Sequence, residues 1–153
     1  MALGAKSNFW SWGIPLAILV AASFLGWHFR PKKENRYDPQ ILAAAQRYQL
    51  DPAVIKAVIW QESKFAPFVR GRAGEIGLMQ IREGAALEWA EAEKIHPFEH
   101  EQIMNPATNI LCGSFYLSKL LKRYQKTDNP LPYALADYNA GRTHVLRWNK
   151  GPA

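Results

Sequence analysis

The sequence predicts an all-α domain, and three observations carry that expectation. Asp-Pro or Asn-Pro recurs three times ahead of helically spaced apolar residues, at Asp38-Pro39, Asp51-Pro52 and Asn105-Pro106. Such a pair offers a capping side chain followed by a proline, which suits the first turn of a helix because its missing N–H is not needed there. Alternating apolar and polar runs bounded by hairpin turns, the mark of strands, are scarce. The glycine-rich stretch at residues 67–77 reads as one loop interrupting the helices.

Taken in order, the first start signal precedes Ile41, Leu42, Ala45 and Tyr48. The second precedes Val54, Ile55, Val58 and Ile59. The third opens a long helix through Ile110, Leu111, Leu117, Leu120, Leu121 and Tyr124. Two shorter helices are expected over residues 131–138 and 143–148. A length of 153 residues suits one domain with a real core. At 48% hydrophobic and 21% charged, the composition excludes long disorder or a fibrous repeat. The net charge of +6 favours a polyanionic partner without choosing among nucleic acid, anionic lipid and acidic polymer. No nucleic-acid motif is formed by the basic residues, so that class is not expected. A single cysteine, Cys112, rules out an internal disulfide framework and reads as a small buried apolar residue.

The N-terminus reads separately. Residues 9–29 carry no formal charge and have a strongly apolar centre. As a helix they extend about 31 Å, one hydrocarbon core. Trp10 and Trp12 lie near one end and Trp27 near the other, where amphipathic rings meet the bilayer interface. An uncleaved signal anchor is the preferred expectation. A signal peptide cut after Ala22, behind Val20-Ala21-Ala22, is the alternative. The expected organisation is therefore residues 1–29 as anchor or signal peptide, 30–37 as a basic linker, and 38–153 as the functional domain. More positive charge follows the span than precedes it, which on its own leaves the domain in the cytoplasm.

One acid stands out. Turning the second helix by about 100° per residue places Val54, Val58, Ile55 and Ile59 on an arc of about 140°, and Glu62 near its middle. A carboxylate on an apolar face is rarely tolerated unless paired. Arg70 or Arg72 is the candidate partner if it is paired. If it is not, burial and the negative carbonyl end of the helix both favour its protonated form. A protonated carboxyl suits proton donation to a glycosidic oxygen. His96 and His100 stand four apart, but Pro97 between them argues against one continuous helix, and no metal site is expected there.

Four segments, in order, carry a resemblance. They are Gln61-Glu62-Ser63-Lys64-Phe65-Ala66-Pro67, then Gly74-Glu75-Ile76-Gly77-Leu78-Met79-Gln80-Ile81, then Asn105-Pro106-Ala107-Thr108-Asn109-Ile110, then Ala136-Asp137-Tyr138-Asn139-Ala140-Gly141. Together they resemble the lytic transglycosylase family with the goose-lysozyme-like fold, over roughly residues 37–148. The resemblance implies that Glu62 is the general acid and then the general base. Gln80, Tyr138 and Asn139 would line the sugar groove, Met79 would form an apolar wall, and Ser63 would accompany the acid. The implied substrate is the glycan strand of peptidoglycan, cut without water, metal or cofactor. The muramic acid's own C6 hydroxyl would attack, so one carboxyl suffices where ordinary glycosidases need two.

The chain departs from the family pattern in three places. Gly71 stands where the family often has serine, and Glu75 where it usually has a small residue. The chain also ends soon after Trp148, where relatives continue into a closing helix. Glu75 reads either as a second carboxylate that positions water or as a solvated loop residue. Two other functions therefore stand beside the first: a hydrolytic muramidase on the same fold, supported by Glu75, and an inactive glycan-binding envelope protein. The resemblance also overrides the charge rule, because peptidoglycan lies outside the cytoplasmic membrane. The domain is expected to face the periplasm or cell wall, tethered by the N-terminal helix or secreted if that helix is cleaved.

Overall fold

In the computed structural model, residues 33–149 are described. The predicted N-terminal span lies outside them. The chain divides into two units, Met1–Lys32 and Lys33–Ala153, and the architecture below is that of the second. Its elements are a 3₁₀ turn at Lys33–Asn35, α1 (Asp38–Tyr48), α2 (Pro52–Ser63), α3 (Glu83–Ala92), a second 3₁₀ turn at His100–Met104, α4 (Pro106–Arg123), α5 (Pro130–Ala140) and α6 (Arg142–Trp148). No described helix is long and apolar enough to cross a membrane.

Two of the three predicted start signals act as expected. The Asp51 carboxylate accepts from the amide of Ala53 at 2.7 Å, and the Asn105 amide oxygen accepts from Ala107 and Thr108. Asp38 does not cap. It is the first helical residue of α1, and it takes the Lys56 ammonium of α2 at 2.6 Å instead. Leu42 is likewise outside the core, 51% exposed. Helix α3 was not foreseen. Its buried face is Ala86, Trp89 and Ala90, so one large side chain among alanines gives weak apolar periodicity, and no capping side chain marks its start.

Helix α4 is the axis of the domain and packs against α1, α3, α5 and the second 3₁₀ turn, while α1 also rests on α2 and α6 on α5. Its buried face holds Asn109, Ile110, Cys112, Gly113, Leu117 and Leu120. The main core joins this face to Ile41 and Ala44 of α1 and to Ile55 and Ile59 of α2. A smaller cluster of Leu120, Tyr124, Ala134 and Val145 fastens the end of α4 to α5 and α6. At the far end of α1, Glu93 accepts from Tyr48 at 2.8 Å and pairs with Arg47, while the Trp89 indole donates to the Tyr48 hydroxyl at 3.0 Å.

The segment between α2 and α3 is loop by conformation yet core by position. Isolated bridges join Arg70 to Ile76 and Ile76 to Ile81, and Ile76, Leu78, Met79 and Ile81 are all buried. Buried loop backbone needs hydrogen-bond partners from outside itself. Asn109 of α4 supplies them: its amide nitrogen donates to the carbonyls of Ile76 (2.9 Å) and Ile103 (3.0 Å), and its oxygen accepts from the amide of Met79 (2.8 Å). The close approach also depends on two glycines. A Cβ on Gly77 would lie 2.4 Å from the Asn109 nitrogen, and one on Gly113 would lie 2.4 Å from the Met79 sulfur.

Replacing Asn109 by alanine strips the Met79 amide and the Ile103 carbonyl of this partner, while the Ile76 carbonyl keeps the Ile81 amide at 3.0 Å. The expected loss is roughly 3 kcal/mol, read by urea unfolding of the full chain; a loss within experimental error would show that the loop finds other partners. Burial also pushes the Cys112 thiol up to about 12. It is expected to resist a thiol-reactive disulfide reagent in the native chain and to react once denatured.

Candidate active site

Helix α2 ends abruptly. Lys64 takes the left-handed conformation at φ 51° and its amide returns to the Trp60 carbonyl, and Phe65 follows at φ 61° with its ring buried. This double turn leaves Glu62 in the last turn of the helix, half-buried, at the wall of a cavity of about 670 Å³. Glu75 and Gln80 from the loop line the same cavity, as do Tyr116 and Lys119 of α4 and Asp137, Tyr138 and Asn139 of α5.

Burial raises the affinity of Glu62 for its proton, and the negative charge of Glu75 adds to the effect. Arg70 does not pair with it; its guanidinium binds Glu101 at 2.6 Å, on the surface. The acid thus faces the cavity with a carboxylate, rather than a cation, as its charged neighbour.

The other predicted residues fall into two groups. Gln80, Tyr138 and Asn139 line the cavity beside Glu62. Gln80 stands at φ 48°, with its side-chain nitrogen fixed to the carbonyls of Val69 (3.1 Å) and Gly77 (2.8 Å). The Tyr138 hydroxyl donates to the Met79 carbonyl at 2.7 Å, and its ring packs on Tyr116 with centroids 5.6 Å apart. Burial, with Glu62 nearby, holds this phenol well above the usual tyrosine range, so it stays neutral. Asn139 is exposed. Ser63 and Met79 do not reach the lining. The Ser63 hydroxyl turns back to the Ile59 carbonyl at 3.1 Å, and Met79 is fully buried beneath the loop.

Glu75 is neither free nor solvated. Its carboxylate accepts from the Ala73 amide at 3.0 Å and from Arg82 at 2.7 and 2.9 Å. Contacts with its own amide and with Arg82 hold it below the usual carboxylate range. His96 and His100 go different ways: the first faces Glu91 at 3.5 Å, the second the Ile81 carbonyl at 3.1 Å.

Two residues that position the site were not singled out from sequence. Asn109 holds the loop that carries Gln80. Asp137, 2% exposed, accepts from Arg123 (2.6 Å) and Tyr124 (2.8 Å) and so locks α5, with Tyr138 and Asn139, onto α4. Both lie within the recognised segments, and each is a polar residue on a helix face that is otherwise core. That is the same signal that isolated Glu62.

What the fold and the site define is an all-helical domain with one partly buried acid, unpaired among the described residues, at the wall of a polar cleft. Comparison with known proteins places the chain in a family. The family model for the transglycosylase SLT domain matches residues 39–153, and the chain belongs to that family. It is 40% identical over 113 residues to a membrane-bound lytic murein transglycosylase F of Desulfosudis oleivorans, covering 72% of this chain and 23% of that protein. It is 31% identical over 128 residues to a membrane-bound lytic murein transglycosylase C of Pectobacterium atrosepticum, covering 76% and 34%. The fold is similar to that of an inactive mutant of the lytic transglycosylase Slt of Pseudomonas aeruginosa, with a TM-score of 0.69, 28% identity and coverage of 78% and 19%. The chain therefore spans about a third or less of each of these relatives.

The raised proton affinity of Glu62 has a consequence for stability. The folded chain holds this proton more tightly than the unfolded one. As pH rises through the ordinary carboxylate range, the unfolded chain ionises first, and the folded state loses stability until Glu62 itself ionises. Glu62→Gln abolishes that loss. The variant is expected to melt above the wild type at neutral pH, with the gain disappearing below the ordinary glutamate pKa of about 4.3. Thermal melts of both chains across pH check this; an equal gain at every pH would assign it to packing instead.

Proposed function

We propose that this protein cleaves the β-1,4 bond between N-acetylmuramic acid and N-acetylglucosamine in peptidoglycan, without water, leaving 1,6-anhydro-muramic acid ends. The observation that carries the reading is Glu62: a half-buried carboxyl favouring its proton, at the wall of a cavity of about 670 Å³ lined largely by polar side chains. Membership of the transglycosylase SLT family and relatives named as lytic murein transglycosylases support it.

In this mechanism the Glu62 carboxyl gives its proton to the glycosidic oxygen as the bond from that oxygen to C1 of the muramic acid breaks. The N-acetylglucosamine side leaves with a free 4-hydroxyl. The C6 hydroxyl oxygen of the same muramic acid then bonds to C1, and its proton passes to the Glu62 carboxylate. The acid is regenerated, and every atom is accounted for with no second reactant. An intramolecular hydroxyl replaces the positioned water or carboxylate nucleophile of other glycosidases. Gln80, Tyr138 and Asn139 contact the sugars, while Ser63 and Met79 support the wall from behind. Tyr138 acts as a neutral phenol, its own proton directed at the Met79 carbonyl.

The protein works at the cell wall, held to the membrane by residues 9–29 with the domain outside the cytoplasm, or released if that segment is cleaved. Relatives named as membrane-bound agree with the tethered form. Alkaline phosphatase fused after the chain is expected to be active in cells; an inactive fusion would reverse the orientation.

The decisive assay incubates purified sacculi with the full chain and with Glu62→Gln, and reads soluble muropeptides by mass spectrometry. The wild type is expected to release 1,6-anhydro products and the variant less than a hundredth as much, in keeping with loss of a general acid at about 10²-fold or more. Reducing-end products would make water the acceptor and the protein a muramidase. A folded wild type that binds glycan and releases nothing would make it a binding protein.

A further inference from the structure

The two departures of the loop, Gly71 and Glu75, are one structural device. A Cβ on Gly71 would stand 2.2 Å from the Glu75 Oε2, 3.0 Å from the Glu75 Cβ and 3.0 Å from the Gln80 Oε1. A serine or alanine at 71 therefore cannot coexist with the Glu75 carboxylate where it lies. That carboxylate fills the space such a side chain would take, and it is tied there: the Gly71 amide donates to the Glu75 carbonyl at 2.8 Å, the Ala73 amide to Oε2, and Arg82 to Oε1. Its side chain is 17% exposed while that of Arg82 is 68% exposed.

We propose that Glu75, seated against the Cβ-free Gly71, is a positioning residue for Glu62 that acts by its fixed charge rather than as a second catalytic carboxylate. This rests on the reading of Glu62 as the acid. Glu75 makes a poor base, because its oxygens are already engaged and it is held in the ionised, weakly basic form. It shares the cavity wall with Glu62, whose proton it helps to retain. Arg82 does not cancel the effect at Glu62, because a cation so exposed is screened by solvent and salt. The other charges of the cavity are matched locally, Lys119 with Glu88 and Arg123 with Asp137. Tyr116 and Tyr138, with raised pKa values, are neutral there. Glu75 is thus the carboxylate at this wall, among the described residues, whose negative charge adds to burial in favouring the Glu62 proton. The device lets a single-acid enzyme keep its acid protonated without burying it further from the substrate.

The test is a carboxyl-carbon NMR titration of Glu62 in the full chain, assigned with Glu62→Gln, combined with the pH profile of anhydro-product release. In Glu75→Gln, which keeps the side-chain shape and an acceptor for the Ala73 amide, the Glu62 midpoint is expected to move down, and the alkaline limb of activity to move down with it. Gly71→Ala, which displaces the Glu75 carboxylate, is expected to shift both the same way, and to add nothing in a Glu75→Ala background. An unmoved Glu62 midpoint in folded Glu75→Gln overturns the proposal whatever the activity. Loss of activity at all pH values with an unmoved midpoint does the same and makes Glu75 structural. Reducing-end products that vanish in Glu75→Gln would make it the water-activating base and overturn it too. A wild type without lyase activity, whose Glu62 midpoint nonetheless falls in the variant, would overturn the transglycosylase reading alone and leave the charge coupling standing.

Discussion

Three hydrogen bonds from one amide side chain hold this domain in working form. Asn109 lies on the central helix, fully buried, and serves the carbonyl of Ile76, the carbonyl of Ile103 and the amide of Met79. A loop pressed into a core ordinarily leaves backbone groups without partners, a cost that excludes most such arrangements. Here the helix satisfies them, and the loop can serve as wall and floor at once. Gln80 faces the cavity because Met79, its neighbour, is pinned beneath it. The two glycines that admit the contact, Gly77 and Gly113, follow from the same requirement for close approach.

The rest of the site hangs on this frame. Helix α2 delivers Glu62 and stops at two left-handed residues; the pinned loop delivers Glu75 and Gln80; α5 delivers Tyr138 and Asn139 after Asp137 has locked it to α4. Tyr138 then closes the ring by donating to the carbonyl of Met79. The loop and α5 thus meet at Met79, while α2 packs into the same core through Ile55, Val58 and Ile59, so each segment that projects a site residue rests on a packed support.

Much of this was legible in the sequence. Capping side chains marked α2 and α4 because they act on amides two or three residues away, a local event. Glu62 was visible because a helix turns by a fixed angle, so a misplaced acid shows without any knowledge of its neighbours. What stayed hidden depended on partners distant in the chain. Asp38 looked like a cap, but Lys56 competes for it. Helix α3 hides its apolar face behind alanines and completes it with Trp89 alone. Ser63 looked like a companion of the acid, yet its hydroxyl is taken by its own helix. Gly71 and Glu75 appeared as two unrelated departures, since nothing but their contact in space joins them.

That contact also sets an order for change. With glutamate at 75 seated on the Ala73 amide, a side chain at 71 meets that carboxylate and must displace it. A lineage that moves from a serine-and-small-residue loop to this one gains a seated carboxylate only once the serine is gone, and one that regains the hydroxyl first unseats it.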